Sequence, residues 1–282
     1  MSRDLNAIRI GTRRGWTMFR HLMTTADGIG NTVFWNGIPL IILILNRNTE
    51  VAGTTIPFAA LALPGILGLA IAAAAYNPAY YIAAEREDGT ILRARAVPHG
   101  IAAYVTGVLT QSVLETGVTM AVLLIPGYLL LTGLIVPDAA GWMILVGVTV
   151  FGLLATLPIG VIIGSVIKSA RLIGALGLLV IGGMTVISGI FIPLQAFPTW
   201  LQVVAQAFPV YWIGLAMRSV FLPDSAMALE LGGSWQTLET FVVLLIWSTA
   251  GALIAPILLR RMTRRATGAA VEASRQQALQ RL

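Results

Sequence analysis

Long apolar stretches separated by short polar connections dominate the chain and predict helices that span a membrane. A spanning helix needs about 20 mainly apolar residues, whereas the strands of an outer-membrane barrel alternate over about 10 residues. Six stretches fit the helical pattern, and they cover about 29–45, 57–84, 100–131, 141–167, 172–192 and 238–259. The pattern therefore predicts an all-α membrane protein with six transmembrane helices over residues 27–265.

A different periodicity occupies the N-terminal residues 1–26 and predicts an amphipathic helix. Apolar side chains recur there at spacings of three and four, interrupted only by Thr12, at Leu5, Ile8, Trp16, Phe19 and Met23. The arginines Arg9, Arg13, Arg14 and Arg20 lie off that stripe. A basic amphipathic helix of this kind is typical of the headgroup plane on the cytoplasmic side. We therefore expect an interface helix and not merely a polar tail. Its polar side carries Arg9 and Arg13, and its apolar side carries Trp16 and Phe19.

The connection between the fifth and sixth stretches, over 193–237, is long, apolar and rich in aromatic residues. Pro193, Pro198 and Pro209 interrupt it, and neither part reaches the length of a span. We expect two short re-entrant helices that dip into the outer leaflet, and not a seventh and eighth span. Trp200, Tyr211 and Trp212 suit an aromatic belt at the interface.

Composition excludes a soluble enzyme, and the positive charges set the orientation of the chain. Hydrophobic residues make up 57% of it and charged residues 11%, against about 25% charged in a soluble domain. With the N-terminus inside, sixteen of the eighteen Lys and Arg residues fall on the inner side, leaving Arg47 and Arg218 outside. The positive-inside rule then places both termini, including the tail 266–282, in the cytoplasm. The chain contains no cysteine, which excludes disulfides and thiolate chemistry.

The densest charge cluster lies on the predicted cytoplasmic loop 85–98, between the second and third spans. It contains Glu85, Arg86, Glu87, Asp88, Gly89, Thr90, Arg93 and Arg95. A solvated loop that only orients the helices would explain its basic residues. It would not explain three acids, because acids contribute little to orientation. The cluster favours a docking surface for a soluble partner.

Sites for nucleotide or metal chemistry are not indicated. The nearest approach to a P-loop has Ile167 where the motif needs the glycine before Lys168, and neither His21 nor His99 stands at the spacing of a metal or catalytic motif. One acid, Glu115, lies in the middle of a span, one turn after Gln111. A charge at that depth should face the bundle interior or a water-filled path. Two hypotheses stay open: a polar contact on a translocation path, or a protonated acid bonded to a neighbouring helix.

Two blocks of sequence resemble ABC-2 type ABC transporter permeases. Residues 85–90 with Arg93-Ala94-Arg95-Ala96-Val97-Pro98 resemble the first cytoplasmic loop of that family, most of all in its daunorubicin-resistance-type drug-efflux branch. Ser188 to Pro193, with Phe197 to Leu201 and Phe208-Pro209, resembles the fifth span and the outer re-entrant helices. The residues that carry this second resemblance are Ser188, Gly189, Pro193, Pro198, Trp200 and Pro209.

The resemblance implies a half-transporter with a type V exporter-like fold in the bacterial plasma membrane. Two permease copies, identical or different, would pair, and each would bind a separate ABC ATPase that carries ATP and Mg. The chain itself would bind no cofactor. It would contact membrane lipids, and it would not bind nucleic acid. The loop 85–98 would receive the ATPase motion, with Gly89 allowing the chain to turn and the N-terminal helix bracing it.

The resemblance implies export of hydrophobic or amphipathic small molecules, as in drug efflux and antibiotic resistance. Export of a lipid, a lipid-linked glycan or a polysaccharide is the alternative. An integral membrane enzyme that modifies lipids is a second alternative. Such an enzyme would need clustered acids at one membrane face, and the only candidates in the sequence are Glu85, Glu87 and Asp88. A membrane scaffold without transport would leave the outer re-entrant segment unexplained.

Overall fold

The computed structural model describes residues 2–51, 56–97, 99–189 and 192–265. Eleven α-helices follow one another in these ranges: α1 (Ser2–Thr24), α2 (Ala26–Leu45), α3 (Phe58–Ala73), α4 (Tyr76–Glu87), α5 (Thr90–Arg95), α6 (Gly100–Leu130), α7 (Ala139–Val166), α8 (Ala170–Ile187), α9 (Thr199–Ala207), α10 (Pro209–Phe221) and α11 (Thr237–Arg265). Short 3₁₀ helices cover Leu194–Ala196, Asp224–Leu229 and Leu231–Gly233. The predicted all-α membrane fold is confirmed. The predicted tail 266–282 and Pro98 lie outside the described residues.

Within the described ranges, five helical segments are long and apolar enough to cross a membrane, or six if the bent pair α9 and α10 counts as one span; the five are α2, α3 with α4, α6, α7 and α11. The fifth predicted span corresponds to α8, which ends at Ile187 where the apolar pattern had predicted 192. Its 18 residues extend about 27 Å at 1.5 Å per residue, slightly short of a hydrocarbon core of about 30 Å. Hydropathy alone overestimated α8 because the sequence continues with Ile190, Phe191 and Ile192, whereas the helix ends before a turn at Ser188 and Gly189.

The second predicted span, 57–84, corresponds to one apolar span over Phe58–Glu87, within which the helix is interrupted at Ala74 and Ala75, between α3 and α4. Pro78 lies in the first turn of α4 and has no N–H to donate to the carbonyl of Ala74. The missing hydrogen bond explains why the helix breaks at this place. It also leaves Asn77 beside the break, where its side chain faces the neighbouring helix α6.

Close helix packing in the bundle uses glycine. A Cβ on Gly160 of α7 would lie 2.0 Å from the carbonyl oxygen of Ala75, and one on Gly164 would lie 2.7 Å from that of Ala79. The small-residue pair Gly160 and Gly164 therefore brings α7 against α4 within the chain, as small residues do in membrane bundles.

The helices α9 and α10 meet at an angle of 88°, the geometry of a broken span or of a re-entrant pair. Phe208, at the turn between them, stacks on Trp247 in the middle of α11 at 6.1 Å between ring centroids. The end of α10 returns to the outer connection between α6 and α7, where the Phe221 carbonyl accepts from the N–H of Ile135 at 2.9 Å. These contacts join the turn of the pair to α11 and its end to the connection between α6 and α7, and the re-entrant placement stays a prediction.

The helix α10 is a core element, and this corrects the predicted aromatic belt. Tyr211 and Trp212 are 1% and 6% exposed, while Trp200 on α9 is 67% exposed. Gly214 allows α10 to approach α3, since a Cβ on Gly68 would lie 2.8 Å from the Gly214 Cα. A helix that is apolar on all sides is buried, so Tyr211 and Trp212 pack inside and do not reach the interface.

Candidate functional site

The charged segment 85–98 forms two helical pieces joined by a tight turn. The helix α4 continues through Glu87, and α5 begins at Thr90. Gly89 between them has a φ of +81°, a left-handed conformation that glycine adopts without steric penalty. Asp88 Oδ1 accepts from the Thr90 N–H at 2.8 Å, and Arg93 Nη2 donates to Thr90 Oγ1 at 3.3 Å. The predicted turn at Gly89 is therefore present, and the segment is a helix–turn–helix element where a loop had been expected.

Glu85 contacts the N-terminal helix. Arg14 Nη2 donates to both carboxylate oxygens of Glu85 at 3.2 Å, and the Arg14 guanidinium lies 4.9 Å from the ring centroid of Tyr104 on α6. The Glu85 side chain is 15% exposed. Burial at this contact makes Glu85 a link between α4, α1 and α6, so it does not belong to the exposed part of the predicted docking surface.

Arg86 and Glu87 connect α4 with the other cytoplasmic turn of the bundle. Arg86 Nη1 lies 3.5 Å from the carbonyl oxygen of Ser165 at the end of α7. Glu87 Oε1 accepts from the N–H of Ala170 at 3.2 Å, and Ala170 is the first residue of α8. A carboxylate at a helix N-terminus stabilises it. Asp88 and Arg93 remain exposed beside α5; the Arg95 side chain lies outside the described residues.

The N-terminal helix α1 packs through small residues that the apolar stripe did not indicate. A Cβ on Gly11 would lie 2.5 Å from the carbonyl oxygen of Ala103, and one on Gly15 would lie 2.4 Å from that of Gly107. Both contacts advance by four residues in the same direction, so α1 runs alongside α6 over at least two turns. The glycine face thus holds α1 alongside the first turns of α6, and the expected placement in the headgroup plane stays a prediction.

The predicted interface residues of α1 point away from that contact. Arg9, Arg13 and Trp16 are exposed, and Phe19 is half-buried. The rings of Trp16 and Phe19 are 5.8 Å apart. The apolar and basic sides of α1 are thus both available to a surface outside this chain.

A cavity of about 620 Å³ lies among α2, α3, α4, α6 and α8, and Glu115 faces it. Glu115 Oε2 accepts from Asn77 Nδ2 at 2.5 Å, and Oε1 accepts from Gln111 Nε2 at 2.7 Å. Gln111 Nε2 also donates to the Tyr81 hydroxyl at 3.1 Å. The structure therefore brings Gln111 and Glu115 together, with Glu115 at the cavity and Gln111 buried behind it.

The rest of the cavity wall is mixed in polarity. Side chains with amide or hydroxyl groups alternate with aromatic and aliphatic ones, and among the described residues they are Asn31, Asn36, Thr116, Thr119, Trp35, Tyr76, Ile66, Leu69, Leu123 and Ile181. None of these described lining residues is an arginine or a lysine. Such a volume and lining are typical of a site for a drug-sized molecule.

The segment 193–237 is held together, and to the end of α8, by a buried ion pair. Arg218 Nε donates to Glu230 Oε1 at 2.5 Å, and Nη2 donates to Oε2 at 3.1 Å. Arg218 Nη1 lies 3.5 Å from the carbonyl oxygen of Ser188, and Gly189 has a φ of +74°. Two of the predicted re-entrant residues, Ser188 and Gly189, therefore lie where the end of α8 meets α10. Pro193 and Pro198 each precede the short helix that follows, and Pro209 is the first residue of α10.

Comparison with protein families matches residues 6–222 to the ABC-2 type transporter. This match covers more than half of the chain, including α1, the element at 85–98, the cavity and α10. The chain belongs to the ABC-2 type transporter family. As an ABC-2 transporter membrane domain it is a multi-pass membrane protein, and such permease domains generally pair with an ABC ATPase subunit. Comparison with curated proteins gave no match.

Several residues of these sites had not been singled out from the sequence. Asn77 had a signal, because Asn-Pro dipeptides mark breaks and turns. Gly11 and Gly15 could also have been found, because small residues spaced by four favour close packing of helices. The pairing of Arg218 with Glu230 had no such signal, since it depends on how α10 and the segment after it fold.

Proposed function

We propose that this chain is the permease subunit of an ATP-driven exporter that moves hydrophobic or amphipathic small molecules out of a bacterial cell. A separate ATPase would supply the energy, and a second permease copy, identical or different, would complete the transporter. The proposal rests chiefly on the element at 85–95, which presents the exposed Asp88 and Arg93 beside a helix braced from both sides. Both termini would lie in the cytoplasm of the cell, with α5 at the same face.

The contacts of α4 suggest how motion of a docked ATPase would reach the membrane. A displacement of α5 pulls on Glu85, which Arg14 ties to α1 and Tyr104. The same displacement pulls on Glu87, which caps α8 at Ala170. Because α6 and α8 both line the cavity, a movement at the cytoplasmic end is transmitted to the helices around Glu115.

The cavity supports small amphipathic molecules as the substrate class. Its volume of about 620 Å³ falls in the range of about 300–1,000 Å³ that accommodates a drug-sized ligand. Export of a lipid or lipid-linked glycan is the second candidate, favoured by Asn31, Asn36 and Asn77 in the wall, whose amides could bond sugar hydroxyls. A lipid-modifying enzyme is not supported, because Glu85 and Glu87 are engaged by Arg14 and Ala170.

Inverted membrane vesicles that contain the chain and a candidate ABC ATPase from the same cell test the proposal. We expect the two proteins to co-purify, and the vesicles to accumulate an amphipathic fluorescent dye only when ATP is hydrolysed. A P-loop lysine variant of the ATPase serves as the matched control. Failure of the proteins to associate, together with dye uptake that does not depend on ATP, would overturn the proposal.

A further inference from the structure

We propose that the cavity around Glu115 selects cationic amphipathic molecules that carry N–H donors, and that Glu115 is their charge partner. The inference rests on the proposed export function and specifies its substrate class.

The first observation is an acid without a basic partner. Glu115 lies in the middle of α6 at the cavity wall, and the described residues that line the cavity include neither arginine nor lysine. The two ion pairs given among the described residues join Arg14 to Glu85 and Arg218 to Glu230. An ionised carboxylate in such surroundings is destabilised unless a cation neutralises it.

The second observation is that the neighbours of Glu115 stabilise its ionised form. Asn77 and Gln111 each direct an amide N–H to a different carboxylate oxygen. Both donors are neutral, so they orient the charge without cancelling it. A carboxylate has about four acceptor positions, so further positions remain for a ligand.

The third observation is an excess of acceptors in the same cluster. Gln111 is 2% exposed, and its Oε1 atom accepts no hydrogen bond from the described residues. Buried acceptors normally have a partner. Gln111 is not among the residues that line the cavity, so its oxygen adds to the excess of acceptors behind Glu115. The open positions on Glu115 itself are those that an amine or amidinium group, which carries donors and positive charge together, would fill.

The wall opposite the acid suits the rest of such a molecule. Trp35 and Tyr76 line the cavity, and aromatic faces attract organic cations as well as apolar rings. Trp35 is 55% exposed, which places it at the mouth of the cavity. A flat aromatic cation can therefore enter past Trp35 and place its amino group near Glu115.

Two dyes of similar shape and opposite charge test the proposal: rhodamine 123, a cation with two amino groups, and fluorescein methyl ester, an anion with oxygens in their place. Fluorescence anisotropy measures their binding to the purified full chain in zwitterionic nanodiscs, with empty nanodiscs subtracted. We expect rhodamine 123 to bind at least tenfold more tightly. This comparison needs no variant, so it decides the question even if a substitution at Glu115 prevents folding.

Variants then locate the preference. Glu115→Gln should weaken rhodamine 123 binding at least tenfold and abolish the preference, while Glu115→Asp should keep the preference. Glu239→Gln, which changes an exposed acid at the start of α11, should change nothing. Equal affinity for the two dyes, or an unchanged preference in Glu115→Gln, would overturn the proposal. No ATPase or nucleotide is present, so dye selectivity without ATP-dependent uptake would instead count against the export function alone.

Discussion

Replacing one partner of the buried ion pair between Arg218 and Glu230 should destabilise the chain far more than replacing both partners by apolar residues. Arg218 is 1% exposed and Glu230 is 4% exposed, and two hydrogen bonds join them. Arg218→Met leaves a buried carboxylate without its partner, and Glu230→Met leaves a buried guanidinium. The double variant leaves two apolar side chains in contact.

The expected magnitudes follow from this burial. Removing one partner of a buried pair is destabilising by about 3–5 kcal/mol, whereas replacing both by apolar residues is often neutral. In either single variant the free energy of unfolding should therefore fall by about 3–5 kcal/mol. Arg218→Met also removes the contact of the guanidinium with Ser188 and Gly189. The double variant should recover most of that loss, giving a coupling free energy of several kcal/mol.

The assay is thermal or denaturant unfolding of the purified chain in one detergent, with size-exclusion chromatography as a check of the starting state. Arg47→Met is the matched control, since Arg47 is an exposed arginine at the outer end of α2 and its removal should change stability by no more than about 0.5 kcal/mol. A double variant as unstable as the sum of the two singles would refute the reasoning.

Three further predictions concern the cytoplasmic half. Gly15→Ala should destabilise the chain by about 1–3 kcal/mol, because the new Cβ would lie 2.4 Å from the carbonyl oxygen of Gly107. Gly117→Ala is the control, since a Cβ there has no neighbour within 4 Å and should not destabilise the chain. The unfolding midpoints of the two variants are compared. Arg14→Gln and Glu85→Gln should each reduce ATP-driven transport. In a double-mutant cycle, their effects on the free energy of unfolding should differ from additivity by about 0.5–3 kcal/mol. Strictly additive effects would contradict the pairing. Gly89→Ala, at a φ of +81°, should strain the turn by about 1–2 kcal/mol and lower ATPase stimulation without preventing membrane insertion.

The spans were predictable where the hydrophobic signal is long and continuous. The predicted limits 100–131 and 141–167 lie within two residues of α6 and α7. The break before α4 was missed although Pro78 could have indicated it. Hydropathy averages over a window, and a single missing N–H changes the path of the helix without changing that average.

The site was predictable in its residues but not in its partners. Glu115 and Gln111 stood out because polar groups at membrane depth are rare. Asn77, which completes the cluster, lies 38 positions away in sequence and reaches Glu115 only through the packing of α4 on α6. The apolar stripe of α1 likewise drew attention from Gly11 and Gly15, because contacts made by backbone leave no hydrophobic signal.

The charged segment illustrates a limit of counting charges. The cluster at 85–95 predicted a docking surface, but its first residues bind within the chain: Glu85 to Arg14, and Glu87 to Ala170. A list of charges cannot separate those that brace a helix from those that meet a partner. Among the charged residues of the cluster whose side chains are described, Glu87, Asp88 and Arg93 are exposed. Glu87 also accepts from the N–H of Ala170, so Asp88 and Arg93 are the exposed pair without a bond to another helix that we assign to the docking surface.

The central claim is that α5 docks on a separate ATPase, and site-specific cross-linking tests it directly. The chain has no cysteine, so Arg93→Cys introduces a single thiol on α5 and Arg47→Cys introduces one at the opposite end of the bundle. With a short thiol-to-amine cross-linker in membranes that contain the candidate ABC ATPase from the same cell, we expect the first variant alone to yield a covalent complex. A complex from Arg47→Cys, or none from Arg93→Cys, would contradict the account.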